Sequence, residues 1–81
     1  MAAKIMLYTG ENGGGVPTEF TGSKPNMLTV GAYHSAMVKH GQWTLFKEIN
    51  YEDSGAAYKL ILRVADGLVD LPFVPGSIKV D

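Results

Sequence analysis

The chain reads as all-β, and three observations predict it. Ten glycines and four prolines break 81 residues into short apolar runs. Those runs are rich in β-branched and aromatic residues and are bounded by turn chemistry. The chain also repeats itself once, with a period near half its length. The predicted architecture is two tandem four-stranded Greek-key motifs packed as a β-sandwich.

The elements follow in order. Ile5 to Tyr8 is a short strand, closed by a turn-rich stretch from Thr9 to Gly15. Val16 to Phe20 extends again, with Pro17 pushing it toward a sheet edge. Thr21 to Asn26 is loop, and Met27 to Val30 is a short extended piece. His34 to Lys39 is the next strand, broken by Gly41. Trp43 to Lys47 follows, with Trp43, Leu45 and Lys47 on one face and Thr44 and Phe46 on the other. Tyr58 to Val64 places Leu60 and Leu62 together, opposite Ile61 and Arg63. Asp66-Gly67 is a turn dipeptide. Leu68 to Leu71 and Gly76 to Val80 bring the expected number of strands to about eight.

Self-comparison aligns Leu7-Tyr8-Thr9-Gly10-Glu11-Asn12 with Leu45-Phe46-Lys47-Glu48-Ile49-Asn50. Gly15 then aligns with Gly55, and Ser35 with Ser77. The offset grows along the chain, which implies two small insertions in the second half, one of them placed at Glu52-Asp53-Ser54. Each half thus reads as strand, glycine turn, strand, loop, and a strand opened by serine. Residues 1–81 form one domain, with motif one at about 3–40 and motif two at about 41–81. Two halves can bury one shared apolar layer, where one half alone could not.

At these positions the sequence resembles the βγ-crystallin family. Tyr8, Gly15 and Ser35 match the aromatic, glycine and serine of that family's motif. Phe46, Gly55 and Ser77 match them in the second half, where Tyr51 supplies the turn aromatic. Gly13 stands where the first half would carry that aromatic. Pro25-Asn26-Met27 and Gly41-Gln42-Trp43-Thr44-Leu45-Phe46 add to the likeness. The resemblance implies that the first hairpin of each half folds back over its sheet. That fold demands positive φ at the glycine and a hydroxyl to bond the backbone groups left unpaired. The six matched residues are then structural, not reactive.

The resemblance also raises calcium. The family's calcium signature is two Asn or Asp residues, two variable residues, Ser or Thr, then Ser. Here those positions read Val30-Gly31-Ala32-Tyr33-His34-Ser35 and Pro72-Phe73-Val74-Pro75-Gly76-Ser77. Both acidic or amide pairs are missing, and His34 and Gly76 occupy the Ser/Thr positions. Calcium takes 6–8 oxygen ligands, some of them carboxylate. Only Glu11, Glu48, Asp53 and Asp70 stand where a turn or an alignment gap would bring a carboxylate near. A degenerate calcium site, with no cofactor, is the expectation. Calcium held by unusual ligands is the alternative.

Other constellations are weaker. Gly13-Gly14-Gly15 lacks the following helix and the Lys-Ser/Thr of a phosphate loop. His34 and His40, six residues apart on one strand, would sit ~20 Å apart. His34 and its neighbour Ser35 point to opposite faces of a strand and cannot pair as base and nucleophile. No catalytic constellation emerges, so an enzyme is not expected. Seven basic and eight acidic residues leave a net charge of −1 without the basic stripe of a nucleic-acid binder. No apolar run is long enough for a bilayer and the start lacks a signal-peptide core, so a cytoplasmic location is expected. With no cysteine, packing and strand pairing alone must stabilise the domain. Trp43 is expected in the core. Leu71-Pro72-Phe73-Val74-Pro75 is unusually apolar for a loop, a segment for packing over the core, for self-association or for a protein partner.

Overall fold

The computed structural model describes residues 2–81 and contains seven strands in two antiparallel sheets. They are β1 (Lys4–Tyr8), β2 (Pro17–Phe20), β3 (Ser35–His40), β4 (Gln42–Phe46), β5 (Lys59–Arg63), β6 (Leu68–Asp70) and β7 (Ser77–Val80). One sheet has the order β2-β1-β3-β6 and the other β5-β4-β7. Three short 3-10 turns, Glu11–Gly13, Ala56–Tyr58 and Val64–Asp66, interrupt the chain between strands.

The order of the sheets shows how the halves interlock. In the first half β1 pairs with β2 and β3. In the second half β4 pairs with β5 and β7. The third piece of each half leaves its own sheet and joins the other. β6 pairs with β3, with Val69 opposite Ala36. Lys24 bridges to Ile78 on β7 through two backbone hydrogen bonds of 2.9 and 3.0 Å. This exchange gives each sheet a contribution from both halves.

The first half's third strand is reduced to that one bridge. Pro25 follows Lys24 and has no N–H to continue a ladder. The extended piece expected at Met27 to Val30 is instead a turn, in which Val30 N–H donates to Met27 O at 3.0 Å. Asn26 Oδ1 starts it by accepting the Leu28 N–H at 3.0 Å. Met27, fully buried, anchors that turn to the core.

The core lies between the sheets. Ile5 and Leu7 of β1, Trp43 and Leu45 of β4, Met27 and Ile78 are all fully buried, joined by Phe20, Tyr33, Ala36, Val38 and Leu62. Each such large side chain contributes about 1.5–3 kcal/mol through removal from water. β5 alternates as a half-covered strand should, with Leu62 buried and Ile61 43% exposed. β4 departs from alternation because both of its faces are covered. Thr44 Oγ1 reaches Asp81 at 2.9 Å, and Phe46 lies against Tyr51. Lys47 does not join the Trp43–Leu45 face. It is exposed, with Nζ 4.8 Å from the centre of the Tyr58 ring. Trp43 donates its Nε1–H to His40 O at 3.2 Å, so its one polar atom is satisfied in the core.

Candidate functional site

Two corners, related by the internal repeat, hold the residues that the sequence singles out. In the first, the hairpin between β1 and β2 curls over its sheet. Gly10 N–H donates to Gly14 O and Gly14 N–H to Glu11 O, both at 2.9 Å. Asn12 and Gly13 have φ of 53° and 77°. Ser35, fully buried at the start of β3, locks this curl. Its Oγ donates to Gly10 O at 2.6 Å and accepts the Gly13 N–H at 2.9 Å. One hydroxyl thus satisfies two backbone groups that the fold-over takes from any ladder.

The second corner repeats both serine bonds. Ser77 Oγ donates to Glu48 O at 2.7 Å and accepts the Tyr51 N–H at 3.0 Å. Asn50 and Tyr51 have φ of 58° and 57°. His34 N–H donates to Tyr8 O at 2.9 Å in the first half, and Gly76 N–H to Phe46 O at 2.8 Å in the second. Gly10 therefore corresponds to Glu48, Asn12 to Asn50, Gly13 to Tyr51 and His34 to Gly76.

The corners differ in how they are filled. In the second, the Phe46 and Tyr51 rings meet edge to face at 6.2 Å. In the first, Gly13 has no ring to offer. A Cβ built on Gly13 would lie 3.1 Å from Leu68 Cδ2, so Leu68 of β6 fills the space in its place. The outer N–H of each curl is also met differently. Asn12 N–H donates to Asp70 Oδ1 at 2.7 Å, whereas Asn50 N–H donates to Pro25 O at 2.6 Å.

Gly15 and Gly55 close the two curls with φ of 75° and 114°. A Cβ on Gly15 would overlap Thr9 Oγ1 and lie 2.9 Å from Gly10 N, whereas a Cβ on Gly55 would meet nothing within 4 Å. The first glycine is required by space as well as by backbone; the second by backbone alone.

The calcium-signature positions lie beside these serines. His34 is exposed, and its carbonyl accepts the Leu71 N–H at 2.9 Å. The Gly76 carbonyl accepts the Met27 N–H at 2.7 Å. A Cβ on Gly76 would lie 2.8 Å from the Glu48 carbonyl carbon and closer still to the Lys47 oxygen. A side-chain oxygen there is excluded while the corner keeps its shape. Val30, Gly31, His34, Pro72, Phe73 and Gly76 thus bring no side-chain oxygen to the signature positions.

The four carboxylates with a possible metal role are placed as follows. Asp70 has one oxygen on the Asn12 N–H. Asp53 accepts from Lys59 Nζ at 2.6 Å and from Gly55 N–H at 3.0 Å. The Lys59 hydrogen bond first, and the Gly55 N–H next, hold its carboxyl below the usual carboxylate range. Glu11 and Glu48 are exposed on their own curls. Among the described residues, no three acidic or histidine side chains gather as a metal would need, and no ligand-sized cavity opens.

The glycine run and the apolar loop complete the picture. Gly13-Gly14-Gly15 leads into β2, not into a helix. The Leu71–Pro75 segment packs inward: Pro75 is fully buried, and Leu71 and Phe73 lie against the core, leaving Val74 37% exposed. Among the described residues, no helix is long and apolar enough to cross a membrane. No motif in the sequence assigns a role to Asn12, Asn50, Leu68 or the Pro25 carbonyl. The alignment of Asn12 with Asn50 was the available signal, since asparagine is the residue besides glycine that readily takes the left-handed region.

These features define a class: a single domain of two interlocked Greek keys, each closed by a serine-tied, folded-back hairpin. No protein-family model and no curated protein matches the sequence. Solved structures do. Geodin, a βγ-crystallin from Geodia cydonium, is similar with a TM-score of 0.81 and 30% identity, over 99% of this chain and 48% of Geodin. A βγ-crystallin from Ciona intestinalis gives 0.73 and 19%, over 96% of this chain and 99% of that one. The fifth crystallin domain of the non-lens protein Absent in melanoma 1 gives 0.74 and 13%, over 98% and 87%. The chain has the βγ-crystallin fold, and it spans about half the length of Geodin.

Proposed function

We propose that this is a non-catalytic, structural βγ-crystallin-type domain whose calcium positions have lost their side-chain donors. The observation that carries the reading is Gly76. Its Cβ position is filled by the backbone of the folded hairpin, at 2.8 Å from the Glu48 carbonyl carbon. The other half offers His34 at the same place, a nitrogen ligand where calcium takes oxygen. Each corner is tied by one serine hydroxyl bonded to two backbone groups. Stability is then independent of calcium, since a ligand that does not bind the native state cannot raise it by mass action.

Calorimetric titration of calcium into chelator-stripped protein, with thermal melts alongside, tests the reading. The expected result is no binding heat and an unchanged melting temperature. Saturable heat with a raised melting temperature would overturn it, and would point to Asp70 or the turn carboxylates Glu11, Glu48 and Asp53 as the replacement ligands.

A further inference from the structure

Asn12-Gly13 is the one asparagine-glycine pair in the chain, and it lies inside the first corner. Asparagine followed by glycine is chemically labile, because glycine has no side chain to shield its nitrogen. The Gly13 nitrogen attacks the Asn12 side-chain carbonyl carbon Cγ and loses its proton to solvent. The Cγ–Nδ2 bond breaks and ammonia leaves, forming a five-membered succinimide. Water then opens either carbonyl of that ring, giving aspartate or isoaspartate. The net change is one water consumed and one ammonia released.

We infer that Asn12 is a deamidation site held silent by the folded corner. Asn12 is exposed, so water and base reach it freely. The nucleophile is what the fold withholds. Gly13 N–H is half-buried and donates to Ser35 Oγ at 2.9 Å, and the Asn12 N–H on the other side is fastened to Asp70 Oδ1 at 2.7 Å. Swinging the Gly13 nitrogen onto Cγ requires rotation about Asn12 ψ, which stands at 34°, and that rotation breaks the serine bond. The reaction therefore waits for local opening of the corner. Its products oppose reclosing. Aspartate places a second carboxylate beside Asp70, and isoaspartate adds a backbone atom between Glu11 and Gly14, whose 2.9 Å hydrogen bond closes the curl.

The test is peptide mass spectrometry of the full chain after incubation at mildly alkaline pH, native and in guanidinium. Asn26 and Asn50, followed by methionine and tyrosine, serve as internal references. In the denatured chain Asn12 should react faster than both references. In the native chain it should react more slowly than in the denatured one by on the order of ten-fold or more. Ser35→Ala and the exposed Asp70→Ala should each raise the native rate at Asn12 and leave Asn26 unchanged. Equal native and denatured rates at Asn12 would overturn the inference. So would a folded Asp70→Ala variant as silent as the parent, a control that stands even if Ser35→Ala fails to fold.

Discussion

Ser35 and Ser77 each serve a donor and an acceptor at once, and both are fully buried. Removing either hydroxyl leaves a backbone N–H and a backbone C=O without partners. Ser35→Ala is expected to cost about 2–3 kcal/mol, and Ser77→Ala a similar amount. Guanidinium melts check this, and a cost below ~0.5 kcal/mol for both would remove the lock from the account. The paired glycines make a finer prediction. Gly55 sits in a backbone region open only to glycine, so Gly55→Ala should cost about 1–3 kcal/mol. Gly15→Ala meets a comparable backbone penalty and, in addition, the Thr9 and Gly10 atoms within 3 Å of the new carbon. It should be the more destabilising of the two. The reverse order would mean that the first curl relaxes more readily than its contacts suggest. Much at this scale is legible in the sequence: the aligned glycines and serines mark the corners. Leu68 was not, because a side chain that fills a gap left by Gly13 comes from a strand fifty-five residues away.

The hairpin between β4 and β5 carries the insertion relative to its partner, and it has an ion pair to hold it. Asp53 joins Lys59 Nζ and the Gly55 N–H. Its pKa is lowered in the folded state, so the folded protein keeps the charged form to lower pH than the unfolded chain does. The stabilisation is therefore complete above the ordinary carboxylate pKa. It is lost as pH falls from that range through the folded value. Asp53→Asn should lower the melting temperature slightly at pH about 7, and the difference should shrink as pH falls below the ordinary carboxylate range and the carboxylate is protonated. The effect at neutral pH should be small and salt-sensitive, because the pair is exposed. A melting difference unchanged across that range would assign the role of Asp53 to its turn geometry alone.

At the scale of the molecule, the exchange of third strands makes the halves interdependent. β6, from the second half, completes the sheet built by the first, and Lys24 from the first half reaches β7 in the second. A fragment of residues 1–40 would lose β6, the Leu68 plug, the Asp70 acceptor and the Trp43–Leu45 side of the core. It should be unfolded alone by circular dichroism and amide dispersion. When mixed with residues 41–81, the two should recover structure together. Independent folding of either fragment would contradict a single cooperative unit. Two half-cores this small expose too much surface to offset the entropy of ordering their chains.

The linear sequence by itself determined the repeat, the seven strands to within about a residue at each end, and the positive φ of Gly15 and Gly55. These depend on local sterics and short-range periodicity, which act within a few residues. The absence of a side-chain oxygen at His34 and Gly76 was likewise readable from the chain. Only the tertiary structure decided which sheet each third strand joins, why Lys24 makes a bridge and not a strand, and what stands in for the missing aromatic at Gly13. It also decided that Asp70 caps Asn12 and that the backbone of one hairpin fills the space beside Gly76. Each of these is a contact between segments far apart in sequence, set by the packing of two halves against one another. No local propensity encodes such a contact, because its energy exists only once both partners are in place.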